Sequence, residues 1–413
     1  MKGVNILKNK SKYLALGLAL TMTLSACANP DNKKGNNEGT GNKTEVSSKD
    51  NGGKHDFSDK LKGEDGVVRW VRGHSGNLMM TMAEHNGYLE EYGLKVEQIP
   101  MQTVDESFAA VAGNQVDIVS NAGTAMPLQR IAKGDDIRIF GGHMVEGAVF
   151  LVGRPDSEYK DVSSLVGKKV ASSPVNYVIS GPLLEMGYDP HKDVDWVQMG
   201  KDSEKLIALK NGQIDFASAG TELALQVKTD PSLKVVGNYG VMMDKYSCCR
   251  METASRFIKE KPNTTKALLK ALLRGMRDFE KDPKKASKLL AEELDVPLDF
   301  VDAYVLDEGY EIHPDPLYNS CVRAWAYLDE LGFLDENAKN IDLRDYILCD
   351  IYKEALDEVI EEVGDEDPEY WEKQKKYFEE NDSMYYNKDE EKEYFQKFKD
   401  TIEENRAKNA QNK

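Results

Sequence analysis

Residues 113–124 read GNQVDIVSNAGT, and residues 211–221 read NGQIDFASAGT. One phrase written twice in a chain limits what that chain can fold into. Asp117 aligns with Asp215 and Ser120 with Ser218; Ala122-Gly123-Thr124 aligns with Ala219-Gly220-Thr221 after a one-residue gap. Each copy ends a helical stretch, runs through a short apolar strand, and turns into the next helix. One explanation is general, since strand-to-helix turns favour Gly, Ser and Thr. The other is two like lobes whose matched turns face each other. Ligands of open α/β sheets bind beyond the carboxyl ends of strands. Helix N-termini there present unpaired N–H groups, and two such lobes form a cleft that closes on a small molecule.

The flanking sequence carries the same alternation. Strands are expected at 67–73, 94–101, 116–120, 137–144 and 148–154, separated by helical stretches such as 77–93, 104–115 and 125–134. The pattern restarts with strands at 168–173, 193–199, 213–218 and 233–240. Such alternation predicts an α/β fold with a largely parallel sheet covered on both faces. From Arg256 to about Ile360 the sequence reads as mostly helical. Met79, Met80 and Met82 read as filler of core and surface.

With 54 Lys and Arg against 72 Asp and Glu, the chain carries a net charge of −18. That balance excludes nucleic acid as a partner, because phosphates need a basic footprint. It leaves small-molecule binding open, since a local site can oppose the global charge.

The N-terminus reads as an address. Lys2, Lys8, Lys10 and Lys12 precede the apolar stretch YLALGLALTMTL at 13–24, which is too short for an ordinary membrane span. LSAC at 24–27 resembles a bacterial lipobox, which implies a signal peptide over 1–26 and a lipid, such as palmitate, on Cys27. The alternative is a plain secretory signal with an incidental cysteine. Residues 27–65 are polar and rich in Gly, Asn and Lys, the composition of a flexible tether. Beyond Cys27 the cysteines are Cys248, Cys249, Cys321 and Cys349. Four thiols in a chain this long do not make a disulfide scaffold, and their spacing suits no zinc site.

EHNGYLEEYGLKVE, GNQVDIVSNAG, SSLVGKKVASS, GYDPHKDVDWVQM and KLIALKNGQIDFAS, together with the lipobox, resemble the extracytoplasmic solute-binding proteins of ABC importers. The nearest subgroup is the one related to nitrate, sulfonate and taurine binders and to the thiamine-pyrimidine synthase fold. The resemblance covers roughly residues 67–335. It implies a two-lobed, type II periplasmic-binding-protein-like fold. Lobe 1 is expected over 66–152 with 250–335, and lobe 2 over 153–249. The crossings are expected near 150–156 and 244–254, with a helical, charged C-terminal extension over 336–413. It also implies no chemistry, no obligatory cofactor, a permease and an ATPase as partners, and a place at the extracytoplasmic face of the cell membrane. The ligand classes it suggests are sulfonates, nitrate and thiamine-pyrimidine precursors. The alternatives are an exported enzyme related to thiamine-pyrimidine synthases and a ligand-binding surface sensor.

Position nominates the contacts. The turn after the first strand holds His74, Ser75 and Asn77. The matched turns hold Asn121, Thr124, Thr221 and Glu222, and the turn after KKVASS holds Ser173, Asn176 and Tyr177. Each has a plain alternative: a hydroxyl or amide there can cap a helix, and His74 can be an exposed loop histidine. Gly141-Gly142-His143 is either an element of the cleft mouth or a strand end. DKYSCCRMETAS at 244–255 falls where the chain returns between lobes. Cys248, Cys249 and Arg250 are therefore expected at the ligand site near the hinge. Arg250 offers planar donors to an anion; the alternative packs both thiols as small hydrophobes. The last fifty residues mix acids, lysines and aromatics, and predict amphipathic helices forming a solvated, partly docked tail.

Overall fold

The computed structural model describes residues 55–101 and 103–411. The leader, Cys27 and the tether as far as residue 54 lie outside the described residues. Among the described residues no helix is long and apolar enough to cross a membrane.

Strand β1 (Val67–Arg72) pairs in parallel with β2 (Lys95–Pro100), and helix α1 (Leu78–His85) follows β1. Residues 116–120 make isolated bridges rather than a full strand: Trp70 pairs with Ile118, and Val119 with Glu252. Strand β3 (Arg138–Glu146) is the centre of a second group, flanked by β9 (Cys249–Thr253) and β10 (Glu311–Ile312), both antiparallel to it. The bridges join these pieces into the sheet of lobe 1. Lobe 2 holds a five-stranded sheet in the order β6-β5-β7-β4-β8. Its strands are β4 (Phe150–Gly153), β5 (Lys169–Ala171), β6 (Asp195–Trp196), β7 (Phe216–Ala219) and β8 (Lys234–Asn238).

The sheets are mixed, which corrects the expectation of a largely parallel one. Parallel pairing joins β5 to β6 and β7, whereas β4 runs antiparallel to both β7 and β8. The reason is the crossings. The chain leaves β3 of one sheet and enters β4 of the other between Glu146 and Phe150, and returns between Asn238 and Cys249. Strands that carry the chain out and back run against their neighbours. The outward crossing lies a few residues earlier than the sequence suggested, because β4 already belongs to lobe 2.

The repeated phrase has a physical cause. The backbone N–H of Asp117 donates to Arg69 O (2.8 Å), and its carboxylate accepts the N–H of Arg69 (2.8 Å). Asp215 does the same to Lys169, at 2.8 and 2.9 Å. Each aspartate clips its segment to the neighbouring strand in one register, β1 in one lobe and β5 in the other.

The tether boundary moves as well. The tether was drawn to residue 65, but Phe57 stacks on Tyr92 with ring centroids 5.1 Å apart, and Leu61 is buried. Residues 55–65 are therefore part of the body, because these two side chains have apolar surface to bury. All three methionines of α1 are core.

The C-terminal part is integrated rather than partly docked. Helix α2 (Pro262–Lys281) of lobe 1 packs against α5 (Cys349–Val363). Lys270, 1% exposed, reaches Glu358 (3.1 Å) and Glu362 (2.7 Å). Glu358 and Glu362, in the extension that begins at residue 336, are thus the partners of a buried lysine in lobe 1. Between these helices lie α3 (Leu298–Val305) and α4 (Tyr318–Glu330). Helix α6 (Pro368–Asn381) buries Tyr370, Trp371 and Phe378. Helix α7 (Lys388–Gln411) buries Phe398 and Ile402. It also reaches lobe 2, where Asn405 Nδ2 donates to Glu185 O (2.6 Å) and Asn409 Nδ2 to Met186 O (2.8 Å).

Candidate functional site: an interlobe cleft

The site is built on the turn between β1 and α1. Asn77 caps α1, its Oδ1 accepting the N–H of Met80 at 3.1 Å. The capping alternative therefore holds for one end of the amide. It fixes the other end as well: Nδ2 is buried and has no partner among the described residues. Beside it, Trp70 Nε1 donates to Ser120 Oγ (2.8 Å), and Asn121 Oδ1 is buried without a partner among the described residues. These residues, with Arg72, Gln98 and His143, line a cavity whose free space is about 10 Å³, room for roughly one water.

His143, which the sequence left open between an element of the cleft mouth and a strand end, lines this cavity. It lies in β3, 3% exposed, with Nδ1 2.9 Å from Ser120 O. A carbonyl only accepts, so Nδ1 carries the proton and Nε2 is a bare acceptor. Nε2 is buried and has no partner among the described residues. Burial pushes the imidazole down to about 4, with the Arg250 charge adding to the effect against the Ser120 hydrogen bond. The available signal was the pair of glycines before it. A Cβ on Gly142 would stand 2.3 Å from Asp315 O and 2.5 Å from His313 O, so β3 must be bare there to let the 313–315 segment approach.

The histidine's titration is checkable. The folded chain should hold His143 neutral down to pH about 4, while the unfolded chain takes up its proton near 6.5. The folded value is the lower one, so its contribution is complete above 6.5 and is lost as pH falls towards 4. The loss amounts to about 3 kcal/mol. Imidazole ¹⁵N resonances at pH 5.5 should show the neutral Nδ1–H tautomer; a protonated ring would contradict it.

The matched threonines converge on the return crossing. Thr124, 1% exposed, donates through Oγ1 to Ser247 O, and its N–H donates to Cys248 O (3.1 Å). A Cβ placed on Gly147 of the outward crossing would be 3.2 Å from both Thr221 Oγ1 and Cys248 Sγ. Tyr177 OH donates to Tyr246 O (2.5 Å), and Asn176 Nδ2 to Tyr239 OH (2.7 Å). Ser173 Oγ accepts the N–H of Val175 at 3.4 Å. Ser75 uses its carbonyl, which accepts from Tyr304 OH (3.1 Å).

His74 is exposed, and its charge is felt by Glu222 of lobe 2. Burial pushes the Glu222 carboxyl up, Asp202 adds to the rise, and His74 opposes it. The lobes also touch at α3, where Lys228 Nζ donates to Ala303 O (2.6 Å) and pairs with Asp307.

Cys248 and Cys249 are free thiols, with their sulfurs 3.7 Å apart. The Cys249 hydrogen bond draws the Cys248 thiol below its ordinary range, and the Tyr246 hydroxyl adds to this against burial.

Arg250 is placed elsewhere than expected. It is 0% exposed, with Nη1 donating to Asp315 O (2.7 Å) and Nη2 to Met144 O (2.5 Å). Both Nη groups are spent on the backbone of lobe 1, under β10 and the extension, instead of on a surface that a ligand reaches, and Nε is buried without a partner among the described residues. The bulged β3–β9 pairing opposite Gly142 turns the side chain inward.

Comparisons with known proteins agree with this architecture. The profile of the family described as NMT1/THI5 like matches residues 76–286. A search of curated proteins by sequence returns no match. Among solved structures, the fold is similar to the periplasmic aliphatic sulphonate binding protein SsuA from Escherichia coli, with a TM-score of 0.57 and 16% identity over 69% of this chain and 92% of that one. It is similar to the alkanesulfonate-binding protein SsuA from Xanthomonas axonopodis pv. citri bound to MOPS, with a TM-score of 0.54 and 16% identity over 69% of this chain and 98% of that one. It is also similar to the periplasmic nitrate-binding protein NrtA from Synechocystis PCC 6803, with a TM-score of 0.56 and 16% identity over 71% of this chain and 89% of that one. With just over half of its residues matched by the family profile, and a two-lobed fold shared with these proteins, the chain belongs to the NMT1/THI5-like family.

Proposed function

We propose that this protein is a lipid-anchored solute-binding protein that delivers a small molecule to an ABC importer. One observation carries the reading. Matched strand-to-helix turns from two lobes converge on the crossing segments, and buried polar atoms at the foot of one turn lack partners. Groups arranged in this way bind and release; the surfaces that meet at α3 must part to admit a solute. The likeness to proteins named for binding sulphonates and nitrate supports the role. In this reading the partners are a permease and an ATPase, and the protein performs no chemistry.

The test is a thermal-shift screen of the purified chain against sulfonates, nitrate, pyrimidines and other small solutes. A ligand at a hundred times its Kd adds about 2.7 kcal/mol to apparent stability, which shows as a rise in Tm. No response to any solute would remove the binding role.

Anchoring rests on LSAC at 24–27 behind its basic and apolar leader. Cys27→Ala should release the protein from the membrane fraction or leave it unprocessed. Unchanged partitioning, with no lipid mass on Cys27, would refute the anchor. A second reading, an exported enzyme related to thiamine-pyrimidine synthases, draws on the lowered Cys248 thiol at the hinge. It requires product formation that Cys248→Ser abolishes.

A further inference from the structure

Neighbouring residues of a regular strand point their side chains to opposite faces. Cys248 and Cys249 do not: their sulfurs stand 3.7 Å apart, with the Cys249 thiol donating to Cys248 Sγ. The backbone before them accounts for this. Lys245 and Ser247 hold φ of 45° and 53°, in the left-handed region that residues other than glycine rarely adopt. The β3–β9 register also shifts between Gly142 and Met144, where Met144 meets Cys249. The return crossing therefore enters β9 bent, and the bend lays two adjacent thiols together. The two differ in character. Cys248 is half-buried, whereas Cys249 is buried. The Cys249 hydrogen bond draws the Cys248 thiol down, with the Tyr246 hydroxyl and the Arg250 charge adding to this against burial. The same contact, together with burial, pushes the Cys249 thiol well up. Cys248 is thus the nucleophile of the pair, and Cys249 keeps its proton beside it.

We propose that Cys248 and Cys249 form a redox-modification site in the return crossing: an oxidant of the hydroperoxide class closes a disulfide between them, and closure withdraws the Cys248 carbonyl from Thr124 of lobe 1. The Cys248 thiolate attacks one peroxide oxygen. The O–O bond breaks, hydroxide leaves and takes up a proton as water, and Cys248 becomes a sulfenic acid. Cys249 Sγ then attacks Cys248 Sγ; the S–O bond breaks, and its oxygen leaves as water with the Cys249 proton. Two thiols and one peroxide give one disulfide and two waters. The new bond ties the two ends of one peptide unit into a small ring, so that peptide has to turn. Its oxygen, Cys248 O, accepts the N–H of Thr124 (3.1 Å), and the Cys248 N–H donates to Val145 O (2.9 Å). Gly123 also bridges to Cys249. Oxidation of the crossing therefore reaches the Ala122-Gly123-Thr124 turn of lobe 1. The inference holds for any solute or none, since no step in it uses one.

Cys321 and Cys349 serve as internal controls. Both are 0% exposed; burial pushes the Cys321 thiol up to about 12 and the Cys349 thiol well up. In the experiment the reduced full chain is treated with hydrogen peroxide, denatured and alkylated, and its peptides are read by mass spectrometry. The expected result is a peptide in which Cys248 and Cys249 are both unalkylated and lighter by two hydrogens, restored by dithiothreitol, while Cys321 and Cys349 alkylate in full. Amide hydrogen exchange at Thr124 should run about tenfold faster in the oxidised chain, since its acceptor has turned away. Cys249→Ser removes the thiol that resolves the sulfenic acid, and peroxide should then leave a Cys248 sulfenic acid that dimedone labels. Cys248 and Cys249 still alkylated after peroxide, or Cys248 carried on to sulfinic acid in the unaltered chain, overturns the inference. A disulfide that leaves exchange at Thr124 unchanged overturns the coupling to lobe 1.

Discussion

Replacing Arg250 by alanine should cost the protein its fold rather than its ligand. The guanidinium is 0% exposed and holds the carbonyls of Met144 and Asp315. Buried acids surround it. Burial pushes the carboxyls of Glu252 and Asp315 well up, and the Arg250 charge opposes this in both. Alanine would leave two carbonyls without the Arg250 donors, remove a cation that offsets those acids, and open a cavity. Together these cost about 3–5 kcal/mol, a large share of the 5–15 kcal/mol typical of a folded domain. We expect a Tm lower by roughly 5 °C or more, or insoluble protein. Arg250→Lys should fall between, since it keeps the charge and loses the planar fork. A normal melting temperature with weakened ligand binding would return Arg250 to the cleft.

Ending the chain after Gly364 should be more damaging still. The deleted stretch carries Tyr370, Trp371, Phe378, Phe398 and Ile402, all buried. At about 1.5–3 kcal/mol for each large apolar side chain buried, the loss is about 10 kcal/mol. It also removes Gln374, whose Oε1 stands 2.7 Å from His313 Nε2, and Asp382, which accepts the N–H of Tyr318 (2.8 Å) at the start of α4. The shortened chain should not accumulate as soluble protein. Ending it after Asn387 instead deletes α7 alone, with Phe398 and Ile402. That chain should fold, with a lower Tm and without the hold on Glu185 and Met186 of lobe 2. Equal solubility of both truncations by size-exclusion chromatography would show that the extension adds little to the body.

The two predictions mark where the sequence was legible. The two-lobed architecture could be read because its determinants are local and repeated. Asp117 and Asp215 each clip one strand register through bonds to a single neighbouring residue. Glycine and threonine mark the turns that follow. Such signals survive in one dimension, since the groups that answer them lie on the adjacent strand. Asn77 was legible for the same reason, as a helix cap three residues from its partner.

What only the tertiary structure decided concerns side chains whose partners come from distant sequence. Arg250 looked like a ligand contact because it stood at a crossing and carried charge. Its direction is set by the irregular β3–β9 pairing and by the 313–315 segment laid over Gly142. His143 was open between a cleft-mouth element and a strand end, and its role depends on Ser120 from another segment fixing one ring nitrogen. The last fifty residues looked solvated and partly docked because their composition is charged, yet their aromatics occupy a few core positions, while Glu358 and Glu362 just before them answer Lys270 in α2. A sequence states which groups need partners. A buried charge, an imidazole tautomer and an amphipathic face acquire their meaning when the fold brings the partner to them, because the low-dielectric interior makes an unmatched polar group too costly to keep.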